Sequence, residues 1–395
     1  MNPNSEFSAE LALPPLSVYV HLPWCVRKCP YCDFNSHEAR GDIPDDRYVA
    51  ALLADLENDL PRVWGRPVHS VFFGGGTPSL FSAAAIGRII DGLRSRLNLV
   101  PGAEITLEAN PGTVEHDCFE AYRDAGINRV SLGAQSFDDE ALRRIGRIHG
   151  ASEIDRAVES LHRAGLANFN LDLMFGLPGQ TVAAAVEDVD RALAHDPAHV
   201  SHYQLTLEPN TAFHARPPRL PGESACWAMQ EQAADRLQAA GFGQYEISAW
   251  ARSGAECRHN LNYWRYGDYL GIGAGAHGKV TLPAEGVVMR GSKQRHPRAY
   301  LEALDTGRWL AETRAVPAAE RVFEFFLNQL RLRDGVRATD FGPRTGLPWS
   351  AAEEAVEAAI GKGLLEWSGQ RLIPTGTGWR FVNETQALFL PGDPA

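Results

Sequence analysis

Three cysteines stand close together in the chain, at Cys25, Cys29 and Cys32, in a C-x3-C-x2-C spacing. Structural zinc usually takes four ligands from two separated pairs, and no second pair lies nearby. A redox disulfide would need only Cys29 and Cys32, and unreactive buried thiols are a further alternative. An iron–sulfur cluster fits best, because three thiolates on a four-iron cluster leave one iron open to a substrate or cofactor. Phe34 stands where a fourth cysteine could follow.

Further polar residues follow the predicted strands at the points where those strands end. In barrel enzymes the chemistry gathers at the carboxyl ends of the strands. Each such residue alone is more often a cap or a loop contact, but their shared placement predicts one large site. Besides the cysteines, the groups concerned are "GGGTPS" (74–79), Glu108, Asn110, Gln135, Ser136, Asp172 and Glu208.

The elements that must position these residues form six β–α repeats. Strands that alternate with crossover helices are typical of a parallel sheet. No strand leads into a G-x-G-x-x-G motif, so the pattern favours an α/β fold with a full or partial (β/α)6 barrel over a dinucleotide-binding fold. The predicted strands are 17–22, 70–75, 104–109, 129–134, 168–176 and 199–206, and the predicted helices are 45–60, 82–97, about 114–125, 138–146, 152–165, 182–195 and about 222–240.

The pattern changes after the sixth repeat. Two amphipathic helices, at 318–332 and 350–367, precede a short strand, a turn and a closing helix, an arrangement that resembles a small winged-helix α+β domain. Winged helices often bind DNA, but these helices carry too little positive charge to favour it. The predicted organisation is a flexible tail (1–16), a barrel (17–240), an aromatic-rich connecting region (241–314) and the winged-helix-like domain (315–395).

Composition limits the class of protein. A formal net charge of −11 argues against a broad electrostatic grip on nucleic acid. The first residues do not form a secretory signal, and no apolar run is long enough to cross a bilayer. Three of the six cysteines lie in one short window, which is not the pattern of a disulfide-rich secreted domain. We therefore expect a cytoplasmic protein with reduced thiols, and the sequence leaves a homodimer and peripheral docking on a membrane open.

The cysteine spacing, with Tyr31 just before the last thiol, resembles the signature of radical S-adenosylmethionine (SAM) proteins. Five segments extend the resemblance to the branch that contains oxygen-independent coproporphyrinogen III dehydrogenases and HemW heme chaperones, and the match runs over roughly 17–390. The segments are "SVYVHLPWC", "FFGGGTPS", "ITLEANP", "VSLGAQSF" and "NLDLMFGLPGQT". The resemblance implies a [4Fe-4S] cluster on the three cysteines and SAM on its open iron. The residues that it implies for SAM are Tyr19, Tyr31, Gly75, Gly76, Thr77, Glu108, Gln135, Arg147 and Asp172.

Two features separate the two relatives in that branch. The dehydrogenase continues its motif to a fourth cysteine, where this chain has Phe34. Residues 257–278 contain an H-N-x-x-Y-W arrangement that resembles one associated with heme binding, and its residues are His259, Asn260, Tyr263 and Trp264. An imidazole is a common axial ligand of heme iron, and aromatic faces suit a porphyrin. On residue types alone, packing is the commoner role of such a segment, and His202 and His277 are alternative ligands.

Together these two features favour a heme chaperone that binds heme and a SAM-ligated [4Fe-4S] cluster. The resemblance implies delivery to heme-requiring proteins, with respiratory heme proteins as the suggested recipients. The rival prediction is a coproporphyrinogen III dehydrogenase, which decarboxylates its substrate oxidatively to protoporphyrinogen IX. A third class, a DNA-binding regulator that uses the C-terminal domain, would require tight and salt-sensitive DNA binding.

Overall fold

The structure is a computed structural model, and it describes residues 10–113 and 118–391. Most of the predicted tail, 1–16, therefore lies outside the described residues, as do the start of the third predicted helix and the last four residues. Within the described residues, no helix has both the length and the apolar character needed to cross a membrane.

The first half of the chain alternates strands with helices, as predicted. Its strands are β1 (Leu16–Leu22), β2 (Trp24–Cys25), β3 (His37–Glu38), β4 (Pro67–Gly75), β5 (Asn98–Ala109), β6 (Arg129–Gln135), β7 (Phe169–Phe175) and β8 (His199–Gln204). Its helices are α1 (Asp45–Asp59), α2 (Ala83–Arg96), α3 (Phe119–Ala125), α4 (Asp139–Arg144), α5 (Ala151–Arg163) and α6 (Val182–Ala194). Strands β1, β4, β5, β6, β7 and β8 pair in parallel in that order, which confirms the six-strand α/β prediction.

The second half of the chain is less regular. Its strands are β9 (Gly243–Glu246), β10 (Ala249–Ala251), β11 (Asp268–Ile272), β12 (His277–Leu282), β13 (Val287–Lys293), β14 (Leu310–Ala315), β15 (Val336–Arg337), β16 (Leu365–Ser368) and β17 (Arg371–Pro374). Its helices are α7 (Ala212–Ala215), α8 (Glu223–Ala239), α9 (Arg258–Trp264), α10 (Pro297–Thr306), α11 (Ala318–Gln329), α12 (Ala338–Thr345), α13 (Ser350–Gly361), α14 (Gly376–Arg380) and α15 (Val382–Ala387).

The main sheet continues into residues 241–314, the predicted connecting region. Strand β11 pairs in parallel with β1, from Leu16 with Asp268 to Val20 with Ile272. Strands β12, β13 and β14 then extend this edge in antiparallel fashion, while β10 and β9 extend the other edge beyond β8. All five residues of β11 are buried, and so short a run shows no alternating pattern by which the sequence could reveal a strand.

The parallel strands present two different faces. Val18, Val20 and Leu22 of β1 point to the helices and belong to the main hydrophobic core. The alternate residues point into the barrel, where the Ser17 hydroxyl lies 2.8 Å from that of Ser70 on β4. Because side chains alternate along a strand, each strand supports the core with one face and places polar groups inside the barrel with the other.

The C-terminal segment forms a second, smaller core. Strands β15, β17 and β16 make a three-stranded antiparallel sheet, and helices α11 to α15 lie around it. The aromatic side chains of Phe325, Phe326, Phe341 and Trp349 pack together in this core. Helices followed by a small antiparallel sheet agree with the winged-helix-like prediction.

Candidate functional site

The cysteine loop, residues 24–36, runs from strand β2 almost to strand β3. These two short strands pair in parallel, Cys25 opposite Glu38, and so hold both ends of the loop together. Within the loop the Cys32 amide donates to the Cys29 carbonyl at 3.1 Å, which closes a turn. Cys25 is buried, Cys29 and Cys32 are half-buried, and all three are free thiols.

The three thiols line a cavity of about 330 Å³ at the carboxyl ends of the parallel strands. This volume lies in the range of small-molecule sites. Eight of the nine residues predicted for SAM also line it, while Tyr19 does not. The eight are Tyr31, Gly75, Gly76, Thr77, Glu108, Gln135, Arg147 and Asp172. Of the other predicted polar residues, Asn110 and Glu208 line the cavity, but Ser136 is fully buried and donates to Asp188 instead.

Burial favours the protonated form of two of the three thiols, Cys25 and Cys32, while no metal is bound. Burial raises the pKa of Cys25, and hydrogen bonds from Thr77 and Ser36 only partly offset this. Burial likewise raises the pKa of Cys32. Since a metal binds the thiolate, assembly of a metal centre on this loop would release protons.

Arg147 is not a solvated helix charge but a fixed wall of the cavity. Its Nη2 donates to the Gly133 carbonyl at 2.7 Å, and its Nη1 lies 3.7 Å from the Cys29 sulfur. Its buried Nε has no hydrogen-bond partner among the described residues. The guanidinium therefore brings positive charge next to the thiols, where a thiolate or a bound anionic group would be stabilised.

The glycine-rich segment at the end of β4, residues 74–77, here called the glycine loop, packs against the start of the cysteine loop. Its Gly76 and Thr77 amides donate to the carbonyls of Leu22 and Trp24, at 2.8 Å and 2.7 Å. A Cβ on Gly76 would lie 2.4 Å from the Trp24 carbonyl oxygen. Gly75 has a φ of 118°, which side chains rarely adopt. Only glycines permit this close approach, and it brings Thr77 to Cys25.

Two half-buried carboxylates form another wall of the cavity. Glu108 accepts the Gly75 amide at 3.2 Å, and burial with the nearby Asp172 raises its pKa to about 8. Asp172 accepts the Asn170 side-chain amide at 2.8 Å and the Ser131 hydroxyl at 3.2 Å, and burial raises its pKa as well. Such a wall suits a ligand with a cationic or hydrogen-bond-donating group, because a nearby positive charge would lower the pKa values of both carboxyl groups and favour their ionised form.

Gln135 and Tyr203 close the far side of the cavity. Gln135 has a φ of 68° and lies where the register of β6 with β7 shifts, which turns its side chain toward the site. Its side-chain carbonyl accepts the Tyr203 hydroxyl at 2.7 Å. Tyr203 is not among the residues predicted for the site. Its place near the end of the sixth strand was the signal that could have found it.

A second cavity, of about 770 Å³, adjoins the first. The two share Asp33, Phe34, Gly75 and Glu108. The second cavity also contains Tyr19, whose hydroxyl lies 3.0 Å from His21 Nδ1. Its remaining lining residues are His21, Asn35, Tyr263, Tyr269, Gly275, His277, Ser292, Arg295, Ala311 and Glu312. Tyr19, predicted to contact SAM, is therefore placed in the neighbouring cavity.

The helix α9 carries the predicted heme motif and packs inside the barrel. His259 is only 1% exposed, and its ring is enclosed by those of Phe72 and Tyr263, at centroid distances of 5.0 Å and 4.9 Å. Its Nδ1 lies 3.0 Å from the Ser70 hydroxyl, while its Nε2 has no partner among the described residues. Burial lowers the pKa of His259 to about 3. The ring is neutral, but iron could reach it only if the surrounding rings moved.

The other motif residues do not converge on one surface. Tyr263 reaches the second cavity, Asn260 is half-buried, and Trp264 lies under the guanidinium of Arg331, 4.4 Å from its ring centroid. Helix α9 is fixed at its start by Glu104, whose carboxylate accepts the backbone amides of Arg258 and His259 at 3.1 Å and 3.0 Å.

Neither of the alternative histidines is part of α9. His202 stacks on Phe175 at 4.6 Å and lines a separate cavity of about 240 Å³. That volume is below the usual range of ligand sites. His277 is exposed and lines the second cavity.

Comparison with known proteins identifies relatives over most of the chain. Residues 19–192 match the radical SAM superfamily, and residues 316–381 match the HemN C-terminal domain. The chain is 50% identical over 378 residues to a heme chaperone HemW from Escherichia coli, covering 96% of this chain and 99% of that protein. It is 32% identical over 381 residues to a heme chaperone HemW from Bacillus subtilis, covering 95% and 99%.

Among solved structures, the chain resembles the coproporphyrinogen III oxidase HemN from Escherichia coli, described as a radical SAM enzyme. The TM-score is 0.80 with 22% sequence identity, over 95% of this chain and 90% of that one. At this identity the likeness shows the shared fold, including the sheet and the small C-terminal domain.

Proposed function

Because the chain belongs to the radical SAM superfamily and, within it, to the HemW heme chaperones, we propose that it binds heme and delivers it to heme-requiring proteins. It also binds a [4Fe-4S] cluster and SAM. The observation that carries this proposal is the cysteine loop itself: three thiols and no fourth line one cavity, and Phe34 stands where the dehydrogenase motif continues.

The residues present fit a three-ligand cluster. Cys25, Cys29 and Cys32 supply the soft donor atoms that such clusters take, and the other walls of the cavity are polar. In this family the open iron of the cluster holds the amino and carboxylate groups of SAM. Around it, the glycine loop gives close backbone approach, and the carboxyl of Glu108 can accept a hydrogen bond from the amino or ribose group.

The remaining walls would hold the other parts of SAM. The Arg147 guanidinium, fixed by the Gly133 carbonyl, can meet a carboxylate. Gln135 and Asp172 can donate to or accept from the ribose and base, and Tyr31 adds an aromatic ring beside the cluster. Tyr19 lies in the second cavity and would act on the first only through Gly75 and Glu108, which both cavities share.

Heme binding rests on the family and on the motif of α9. His259, Asn260, Tyr263 and Trp264 are the residues that the motif implies near the heme, and Tyr263 lines the second cavity. Respiratory heme proteins are the proposed recipients. The cytoplasm is the proposed location, where the chain would act as a monomer or homodimer and could dock on the membrane surface near such recipients.

The test separates the chaperone from the dehydrogenase. The protein is reconstituted anaerobically with iron and sulfide and incubated with coproporphyrinogen III, SAM and a reductant. We expect no protoporphyrinogen IX, together with saturable hemin binding and transfer of that hemin to an apo-cytochrome. Formation of protoporphyrinogen IX, or the absence of saturable hemin binding, contradicts the proposal.

A further inference from the structure

The position of the heme can be inferred from a contrast between two histidines. Resting on the proposed function, we propose that heme binds in the second cavity, with His277 as the axial ligand of the iron and Arg295 as the partner of a heme carboxylate. His259 lies behind the wall of this cavity and does not touch the iron.

Size and accessibility favour this cavity over the surroundings of α9. Its volume of about 770 Å³ is more than twice that of the cavity beside the cysteines, at about 330 Å³. A larger cavity, of about 1000 Å³ beside Trp24 and His296, has no tyrosine and no residue of α9 in its described lining. A bulky, flat ligand needs a cavity at the upper end of the usual 300–1,000 Å³ range. His259, by contrast, is 1% exposed and lines none of the described cavities, so a heme could reach it only if the surrounding rings moved.

The walls of the second cavity offer flat apolar surfaces. Tyr263 and Tyr269 pack at a centroid distance of 4.3 Å, and the Arg290 guanidinium fixes Tyr269 by donating to its hydroxyl at 2.6 Å. On the other side Phe34 is 59% exposed, an unusual state for a phenylalanine at the rim of a cavity. A large exposed apolar side chain beside fixed aromatic rings is typical of a surface that a flat hydrophobic ligand covers.

Position also distinguishes His277 from His259. His277 begins strand β12, opposite Ser292 of β13, so a paired backbone holds it at the cavity. It is exposed, and no described residue forms a hydrogen bond with its ring, whereas both ring nitrogens of His21, the other histidine in this lining, have partners. An imidazole on a rigid element that faces a cavity can bind iron without any change in the fold.

The charges in the lining give the ligand an orientation. Arg295 is the one arginine or lysine among the described residues that line this cavity, and it has no recorded ion-pair partner there. Asp33 and Glu312 bring negative charge elsewhere along the lining. The two carboxylate arms of a heme would therefore be repelled from these acids and drawn to the Arg295 side.

The first experiment titrates hemin into the cluster-loaded protein and follows the Soret band. We expect His277→Ala to lose the imidazole-ligated spectrum and to weaken hemin binding about tenfold, which corresponds to about 1.4 kcal/mol. His259→Ala and the matched surface control His296→Ala should keep the wild-type spectrum. If His259→Ala loses that spectrum while His277→Ala keeps it, the heme lies at α9, and the inference fails although the proposed function stands.

The second experiment uses iron-free protoporphyrin IX, which tests the cavity without the metal. Its fluorescence titration should give the same affinity for wild type and His277→Ala. Arg295→Ala should weaken binding about fivefold, the size expected for one exposed ion pair. Arg298→Ala, which removes an exposed arginine outside this cavity, is the control. Equal affinities for Arg295→Ala and wild type would overturn the assignment of the cavity. Failure of the wild type to bind either porphyrin would instead overturn the proposed function.

Discussion

The cysteine loop and the helix α9 are the two segments from which the function was predicted, and the fold treats them in opposite ways. The loop presents its three thiols together in one cavity, with the Cys29 and Cys32 residues half-buried. Helix α9 turns its histidine inward, where Ser70 and two aromatic rings enclose it. Both segments carry residue types that bind metals, but only the loop makes them accessible.

The difference shows what a local motif can determine. In the loop, short spacing and a turn are enough to bring three side chains together. In a helix, spacing decides which residues share a face, but tertiary contacts decide whether that face is covered. Here Glu104 of β5 holds the start of α9 inside the barrel, and this contact spans more than 150 residues of sequence. The convergence of the three thiols can therefore be predicted from the sequence, whereas the accessibility of α9 cannot.

The largest expected effect is loss of the cluster after one substitution in the cysteine loop. In Cys29→Ser the loop keeps its turn but loses a soft ligand, so reconstituted protein should lack the iron–sulfur charge-transfer absorption and its bound iron. Cys118→Ser, which changes an exposed thiol outside both cavities, is the control and should load normally. Full loading of Cys29→Ser would show that the loop does not hold the cluster as proposed.

The next effect concerns the contact that fixes α9. Glu104→Ala removes the acceptor of two backbone amides and leaves Arg129 buried beside it without its nearby carboxylate. We expect the free energy of unfolding to fall by about 3 kcal/mol, measured by urea denaturation, because a buried charge loses its compensation. Cluster loading at the cysteine loop should persist in the folded fraction. Glu57→Ala, at an exposed ion pair with Arg96, should cost less than about 1 kcal/mol.

If Glu104→Ala proves as stable as wild type, the carboxylate does not hold α9, and the contrast between the two segments would need another cause. If the variant also loses cluster loading, the two segments are not independent, and the contrast would be overstated.

These contacts show which parts of the fold and of the site can be predicted from the sequence. The six parallel strands were predictable because each carries a β-rich run followed by a long helical pattern, and the residues at their ends meet because parallel strands end at one edge. Strand β11 was not predicted, since its five buried residues show no period. The placement of Tyr19 in the second cavity was not predictable either. Its strand position was correct, but the folded chain divides the site into two adjoining cavities, and Tyr19 lines only the second of them.

A pH-dependent effect on stability distinguishes the carboxylate wall from the thiols. Glu108 has a pKa of about 8 in the folded chain, against an ordinary value of 4.5. Between these values the folded state holds a proton that the unfolded state has released. The stabilising contribution of this group is therefore complete below about pH 4.5 and is lost as the pH rises through about 8. In cluster-free protein, the Glu108→Gln variant should not show this loss of stability as the pH rises.

Urea denaturation of wild type and Glu108→Gln at several pH values between about 5 and 8 measures the difference. The variant should gain stability relative to wild type as the pH rises, while Glu57→Gln at the surface should follow the wild type throughout. Parallel curves for Glu108→Gln and wild type would mean that Glu108 is ionised in the folded chain, and the second cavity would then carry a further negative charge.

The smallest expected effect comes from Phe34→Cys, which adds the fourth cysteine of the dehydrogenase motif. Phe34 is 59% exposed, so its replacement should change the free energy of unfolding by less than about 0.5 kcal/mol. The three existing thiols already line the cavity, so the absorption of the reconstituted cluster and its iron content should match those of wild type. Phe34→Ser, which removes the ring without adding a thiol, is the control. A changed cluster spectrum in the cysteine variant alone would show that a fourth thiol can reach the metal, and that the phenylalanine keeps the fourth iron open for SAM.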